Sequence, residues 1–346
     1  INDFKKIKKD ITDYKLAIRG ETQNYNLKDA YKIKELLFPS DLLTTDIREI
    51  RLSLDDVLFD LPFTALPLDK VDNILSSPLY ASTRGISTKK TKIGKPFQNK
   101  KILWIDDKYK IVYVPSILKF KKDKTRIELN SFLGIGNPDF KNINKSIKQT
   151  LNNLPNTEIE LNEISKFFNV SNVNLLTGKK ANEENFQKQI HSKYNLIAFA
   201  THGFMDTEIS PVSEPGLALG LNNFENKKFD GFLSASEIIG LDLKADLVLL
   251  NACNTFNTIN ATKNPFSGLP SSFLGGGAKN VISTLWEVET LSAKMFSNFL
   301  VKNLKNNGDI PLSISKSRKL IRNEKPKLWD HPFYWAPFIH AEGTIN

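Results

Sequence analysis

Apolar positions recur at helical spacing through the first 38 residues, where Leu16, Ile18, Tyr31, Ile33, Leu36 and Leu37 repeat on a Lys-rich background; this spacing predicts helix. The period then changes. Ile50, Leu52 and Leu54 alternate with polar neighbours and are followed by Val57-Leu58-Phe59 and Leu61-Pro62-Phe63, a pattern that predicts a hairpin turning into the core. Residues 84–101 hold Lys, Gly, Ser and Thr with few large apolar side chains and read as a mobile loop. Strands are predicted at 102–105, 111–114 and 129–135. From about residue 140 the rhythm is strand–helix–strand. Leu154, Leu161, Ile164, Phe167 and Phe168 sit at helical spacing, and 173–176 is a short strand. Asn182 is a helix cap with Glu183 and Glu184 in the first turn, where acids suit the helix dipole. Segments 195–200 and 246–252 are continuously apolar, as strands covered on both faces are. A strand at 216–221 and a capping box of Ser234 and Glu237, opening a helix to Leu241, lie between them. A helix at 268–278, a strand at 281–286 and helices at 291–305 and 311–322 follow. The last strand, near 333–340, contains Pro337 and is expected at a sheet edge. Strands alternating with helices predict an α/β fold with a mainly parallel, doubly wound sheet and helices on both faces.

Composition narrows the classes. Of 346 residues, 40% are hydrophobic and 25% charged, an ordinary globular balance, and the length suits two domains or one large α/β unit. The longest apolar run, 247–253, is strand-sized and far short of the roughly 20 residues of a membrane span. A single Cys excludes an internal disulfide and, with four scattered His, a Cys-rich zinc site. Neither metal nor cofactor is expected, and a reducing, cytoplasmic compartment is. Residue 1 is Ile with no leader pattern after it, so the expectation is a piece of a longer chain without a signal peptide. The net charge of +10 is local. Between 84 and 126, fourteen Lys/Arg face three Asp, whereas 201–246 holds eight acids and three Lys. The basic block reads as a solvated face or docking surface. Direct nucleic-acid binding is not expected, because no aromatic-interleaved stacking pattern accompanies the charge.

Two predicted strands end in residues that can do chemistry. The strand at 195–200 runs into Thr201-His202-Gly203, and the strand at 246–252 runs into Cys253. In an open α/β sheet, sites form at the carboxyl ends of strands. If these strands are neighbours, His202 and Cys253 face one crevice, where an imidazole takes the proton of a thiol and makes it a nucleophile. The N–H groups of Gly203 and Cys253 would stabilise an oxyanion. The same residues also fit a structural reading, since a lone Cys after an apolar strand serves as a small core residue. Pattern alone leaves both open. Gly275-Gly276-Gly277-Ala278-Lys279 lacks phosphate-loop spacing and reads as a helix stop packed against the sheet. His191, on a predicted amphipathic helix, and His331 and His340, flanking the last strand, read as structural.

Ala200-Thr201-His202-Gly203 and Leu249-Leu250-Asn251-Ala252-Cys253-Asn254-Thr255 resemble the His and Cys motifs of CHAT proteases, caspase-like cysteine peptidases related to separase. The resemblance continues, in family order, through Leu61-Pro62-Phe63-Thr64-Ala65-Leu66, Val114-Pro115-Ser116, Leu154-Pro155-Asn156-Thr157-Glu158, Leu233-Ser234-Ala235-Ser236-Glu237-Ile238, Ser283-Thr284-Leu285-Trp286-Glu287-Val288 and His331-Pro332-Phe333-Tyr334-Trp335-Ala336-Pro337-Phe338. It covers about 48–342. Each motif is weak by itself; the ordered series is specific. One departure is Phe256, which bears on the 254–266 loop, because the family commonly has Gly soon after the Cys motif.

The resemblance implies a cysteine endopeptidase with a dyad of His202 as base and Cys253 as nucleophile, and backbone amides of Gly203 and Cys253 at the oxyanion. It also implies a non-catalytic pseudo-protease half at 48–140 and a catalytic half at 141–346, behind the helical segment at 1–47 that the apolar spacing predicts. By analogy with separase-like enzymes, Glu287 and Glu289, with Trp286 beside them and Asp206 after the His motif, are expected to bind substrate and favour Arg or Lys before the scissile bond. An acid at a helix start is the competing reading for the two glutamates. Expected partners are a protein substrate and an activating protein or nucleoprotein regulator, and a bacterial role in defence or cell death fits the family. The competing class is a catalytically silent scaffold that binds a partner through the same cleft.

Overall fold

Alternation along two strands decides the layering. In the computed structural model, Leu196, Ala198, Ala200, Leu247 and Leu249 join one core, while Ile197, Phe199, Val248 and Leu250 join another. Successive side chains of a strand point to opposite faces, so both faces of this sheet are covered. The described residues are 2–21, 25–71, 74–76, 102–114, 126–147, 150–204, 214–222, 228–251, 268–324 and 327–343.

In chain order the elements are α1 (Asn2–Ile18), β1 (Tyr25–Asn26), α2 (Leu27–Leu37), β2 (Glu49–Leu52), β3 (Leu75–Ser76), α3 (Ile105–Lys108), β4 (Lys110–Tyr113), β5 (Phe132–Pro138), α4 (Pro155–Ser165), β6 (Val173–Gly178), α5 (Glu183–Gln189), β7 (Tyr194–Ala200), β8 (Gly203–Phe204), β9 (Gly216–Ala218), β10 (Phe232–Ser234), α6 (Ala235–Ile239), β11 (Ala245–Leu250), α7 (Leu269–Gly275), β12 (Asn280–Thr284), α8 (Thr290–Asn307), α9 (Ile310–Asn323) and β13 (Phe338–Glu342). Among the described residues, eight strands form one sheet in the order β2-β4-β13-β12-β11-β7-β5-β6. Neighbours are parallel except at β12/β13. The α/β class and the mainly parallel, doubly wound sheet are therefore as read from the sequence. Leu161 of α4 and Phe296 and Leu300 of α8 cover one face; Phe186 of α5, Ile238 of α6 and Phe273 of α7 cover the other. β5, which precedes residue 140, lies between β7 and β6.

Local signals are met where capping chemistry is explicit. The Asn182 side chain accepts from Asn185 N at 2.9 Å, and Ser234 and Glu237 form the reciprocal box on α6. The glycine run after α7 is a helix stop: Gly277 has φ +107°, and a Cβ there would sit 2.3 Å from the Leu243 carbonyl oxygen.

Four expectations are corrected. The 50–54 alternation is not half of a hairpin, since β2 pairs in parallel with β4; the chain leaves β2 through single 3-10 turns at Asp56–Leu58 and Phe63–Ala65 that enter the core. Segment 102–105 is not a strand, because Asp107 accepts from the Trp104 N–H at 3.0 Å and starts α3. Nor is the last strand at an edge. It begins after Pro337, whose carbonyl accepts from Leu285 N at 2.9 Å, so the missing N–H lies outside the ladder and β13 sits inside the sheet. His191 follows α5 and is exposed. The predicted loop at 84–101 and most of the basic block lie outside the described residues.

His331 and His340 are structural. His331 Nδ1 accepts from Phe333 N at 3.0 Å, and His340 Nε2 bonds Asn280 Oδ1 at 2.9 Å. Burial pushes both imidazoles down to about 3. A folded-state value below the unfolded one, about 6.5, means unfolding takes up protons in acid. Their contribution to stability is intact above about pH 6.5 and is lost as pH falls toward 3, with a slope approaching about 2.7 kcal/mol per pH unit for two protons. Urea midpoints measured from pH 7 to 4 should show this slope, and His340→Gln should remove about one proton's worth of it.

Candidate active site

β7 and β11 are adjacent and parallel, with Leu250 opposite Phe199 in their register. Asn251 N donates to the Phe199 carbonyl at 2.8 Å, so the ladder continues one residue past β11. The condition set by the sequence, that the two strands be neighbours, is met. His202 stands three positions after Phe199 and is 2% exposed. Cys253 and Asp206 lie outside the described residues.

Among the described residues, one hydrogen bond holds the His202 imidazole. Nε2 lies 2.8 Å from the carbonyl oxygen of Asn152. A carbonyl only accepts, so Nε2 carries the proton, and Nδ1 is left with a lone pair. Among the described residues Nδ1 is buried and has no partner. The Phe140 ring lies 5.3 Å away, centroid to centroid. Burial in these surroundings lowers the imidazole's proton affinity below its ordinary value, and the Asn152 carbonyl opposes this only in part. The net lowering favours a neutral ring, with its basic nitrogen unpartnered among the described residues.

The Asn152 carbonyl is itself held by asparagine chemistry. Asn144 accepts from Leu151 N at 2.8 Å and donates to Leu151 O at 2.9 Å, clasping the residue before it. Asn137, at the end of β5 with φ +46°, is a residue type that tolerates left-handed backbone. Its N–H donates to Thr157 Oγ1 at 2.9 Å, and its side-chain oxygen accepts from Leu154 N at 3.0 Å. Together they tie the start of α4 to the sheet. The sequence reading missed Asn137, Asn144 and Asn152; the available signal was the density of Asn between 137 and 156.

Gly203 opens β8, which runs antiparallel to β9. Ala218 N donates to the His202 carbonyl at 2.8 Å, which makes 202/218 the hydrogen-bonded pair. The next pair, Gly203 and Leu217, is then the unbonded kind, and the Gly203 N–H points away from β9. Thr201 Oγ1 secures the same turn by donating to Ala218 O at 2.6 Å.

The residues expected to bind substrate are placed differently from one another. Trp286 is buried, donates its indole N–H to Phe333 O at 3.1 Å, and lies under the Arg19 guanidinium at 5.6 Å. The Glu289 carboxylate caps α8, accepting from Leu291 N at 3.0 Å and Ser292 N at 2.8 Å; the helix-start reading describes it. Glu287 keeps a carboxylate oxygen, Oε1, without a hydrogen-bond partner among the described residues. Among those residues no three His, Cys, Asp or Glu side chains are grouped to hold a metal ion, and no helix is long and apolar enough to cross a membrane.

The CHAT domain family model matches residues 28–342. Tetratricopeptide repeat protein 28 of Homo sapiens is 28% identical over 107 residues, 31% of this chain and 4% of that protein. The Mus musculus protein of the same name is 29% identical over 116 residues, 33% of this chain and 5% of that protein. The chain thus spans 4–5% of the length of these curated relatives. Among solved structures, Saccharomyces cerevisiae separase in complex with securin aligns with a TM-score of 0.42 at 15% identity, over 68% of this chain and 14% of that one. The Arg-specific cysteine proteinase gingipain R aligns with a TM-score of 0.41 at 9% identity, over 68% of this chain and 55% of that one.

Proposed function

Because the chain belongs to the CHAT domain family, we propose that it is a cysteine endopeptidase in which His202 is the general base and Cys253 the nucleophile. The observation that carries this reading is the fixed tautomer of His202, with Nε2–H on the Asn152 carbonyl and Nδ1 unpartnered among the described residues. Such a ring accepts a proton without first losing one. Sequence counting agrees: Phe199 and Leu250 are register partners, and His202 and Cys253 each stand three positions further along.

In this mechanism Nδ1 removes the thiol proton as sulfur attacks the scissile carbonyl. The N–H groups of Gly203 and Cys253 receive the oxyanion. The imidazolium then gives its proton to the leaving amine, and water attacks the thioester with His202 again as base. Glu287, whose Oε1 has no hydrogen-bond partner among the described residues, is the acid we assign to a basic side chain before the scissile bond, and the acidic balance of 201–246 favours the same charge. We move the junction between a non-catalytic and a catalytic half from residue 140 to ahead of β5, because β5 lies between β7 and β6, and we assign control to an activating protein or nucleoprotein partner.

The test is intact-mass labelling with two peptidyl ketones, one carrying Arg and one Asp, on wild type, His202→Ala and Cys253→Ala. A single adduct from the Arg reagent, absent in both variants, is the expected result. Labelling by the Asp reagent instead keeps the peptidase and removes the role of Glu287. A folded chain that takes neither reagent, alone or with the activating region present, is the silent scaffold.

A further inference from the structure

Three polar side chains form a closed triangle beneath the carboxyl ends of β7 and β11. Asn251 Nδ2 lies 2.5 Å from Glu160 Oε1 and 2.5 Å from Ser297 Oγ, and Ser297 Oγ lies 2.8 Å from the same Glu160 oxygen. Glu160 and Ser297 are 0% exposed and Asn251 is 4% exposed. The corners come from α4, the end of β11 and α8. Three apolar residues would fill that volume without any hydrogen-bonding requirement, whereas a buried polar set is tolerated only when its members satisfy one another.

Its position gives the triangle a use. Asn251 is the last described residue before Cys253, two positions away in sequence. Its backbone N–H is fixed on Phe199 and its side chain on Glu160, so both its backbone and its side chain are set. Glu160 belongs to α4, whose lead-in supplies the Asn152 carbonyl that fixes the His202 tautomer. That lead-in is tied to β5 through Asn137. α4 with its lead-in at 150–154 therefore touches both the His202 imidazole and the residue that ends β11 ahead of Cys253. We propose that Glu160 is a positioning residue: acting through Asn251, and with Ser297 as its second support, it aligns the strand end that precedes Cys253 with the imidazole oriented by the lead-in to the same helix. This rests on the reading of Cys253 and His202 as a dyad. Proton transfer and attack need reacting atoms about 3–3.5 Å apart, and a misplacement of about 1 Å costs on the order of 100-fold in rate.

Cys253 is the chain's single cysteine, so alkylation by iodoacetamide, read as intact mass, reports on it alone and needs no substrate. Rates are measured from pH 5.5 to 9.5 on wild type, His202→Ala, Ser297→Ala, Glu160→Gln and Glu160→Leu, each checked for native circular dichroism. His202→Ala tests the dyad: its midpoint should rise toward the ordinary thiol value of about 8.5, and a profile equal to wild type would remove the reading on which this proposal stands. Given that shift, Glu160→Leu should slow alkylation at pH 7 by at least about tenfold and move the midpoint in the same direction. Ser297→Ala should slow it about threefold, and Glu160→Gln, whose amide oxygen still accepts from Asn251, should recover most of the rate. If His202→Ala shifts the profile while Ser297→Ala and a folded Glu160→Leu match wild type, the dyad stands and the positioning role is overturned. If Glu160→Leu does not fold, a wild-type profile for Ser297→Ala overturns the role by itself.

Discussion

If the proposed dyad operates, replacing Cys253 by Ala and replacing His202 by Ala should each lower peptide hydrolysis by at least about 1,000-fold, and the two losses should respond differently to pH. Without Cys253 there is no sulfur to acylate, and the residual rate stays flat. Without His202 the thiol keeps its ordinary value of about 8.5, only a small fraction is thiolate at pH 7, and the rate climbs as pH approaches 9. Wild type should show an acid limb set by protonation of His202. Burial lowers that imidazole, so the limb lies below the ordinary histidine value of about 6.5. The measurement is kcat/KM against pH for the three proteins, with substrates carrying Arg before the scissile bond. A His202→Ala protein as active as wild type at pH 7 sinks the dyad. An acid limb above 6.5 sinks the neutral, Nε2-protonated tautomer.

How much of this was legible in the sequence follows from what each signal encodes. The continuous apolar runs at 195–200 and 246–252 reported burial on both faces, and the interior strands β7 and β11 lie there, β11 over 245–250, because no half-exposed strand can be apolar at every position. Capping residues were equally readable, since an Asn, Ser or Asp at a helix start acts within three or four residues of itself. Pairing was not. The partner of β2 is β4, some sixty residues on, and alternation at 50–54 carries no information about which strand supplies the hydrogen bonds. Pro337 misled for a related reason: it rules out a ladder donor at its own position only, and β13 starts at the next residue.

The site divides in the same way. His202 was visible as a polar residue directly after an apolar strand. Its orienting carbonyl was not, because Asn152 acts through its backbone, and any residue has a carbonyl there. Glu160 was hidden inside a helical pattern in which an acid normally faces solvent. Only the fold shows that its side chain points inward, to Asn251 on a strand 91 residues away. Glu289 shows the opposite case. Two readings competed at that position, and the nearness of the Leu291 and Ser292 amides favours the local one, a cap on α8.

The second large effect concerns stability and lies far from the dyad. Arg318 of α9 and Asp106 of α3 are 1% and 2% exposed, with Nη1 and Oδ1 2.5 Å apart. The guanidinium also donates from Nε to the Phe338 carbonyl at 3.2 Å, so it joins α3, α9 and the start of β13. Arg322, one turn later, lies over the Trp335 ring at 4.6 Å and donates to Asp107 Oδ1 at 3.0 Å. A buried pair adds little over an apolar pair of the same volume, since desolvation of both charges offsets their attraction. Removing one partner is another matter. Arg318→Met leaves the buried Asp106 carboxylate without a hydrogen-bonded cation, since the Arg322 guanidinium stands 3.9 Å from its other oxygen, and leaves the Phe338 carbonyl without this donor, which should destabilise the fold by up to about 3–5 kcal/mol. Adding Asp106→Leu to Arg318→Met removes the orphan charge and should recover a large part of that loss, leaving mainly the carbonyl's missing bond, about 1–3 kcal/mol. Urea denaturation of wild type, the single variant and the double variant decides between the two accounts. A double variant more stable than the single one shows that the stranded charge dominates. A single variant within about 1 kcal/mol of wild type would mean that water or movement of α3 relieves Asp106, and that α9 is held to the sheet by its apolar face, through Ile314 and Ile321.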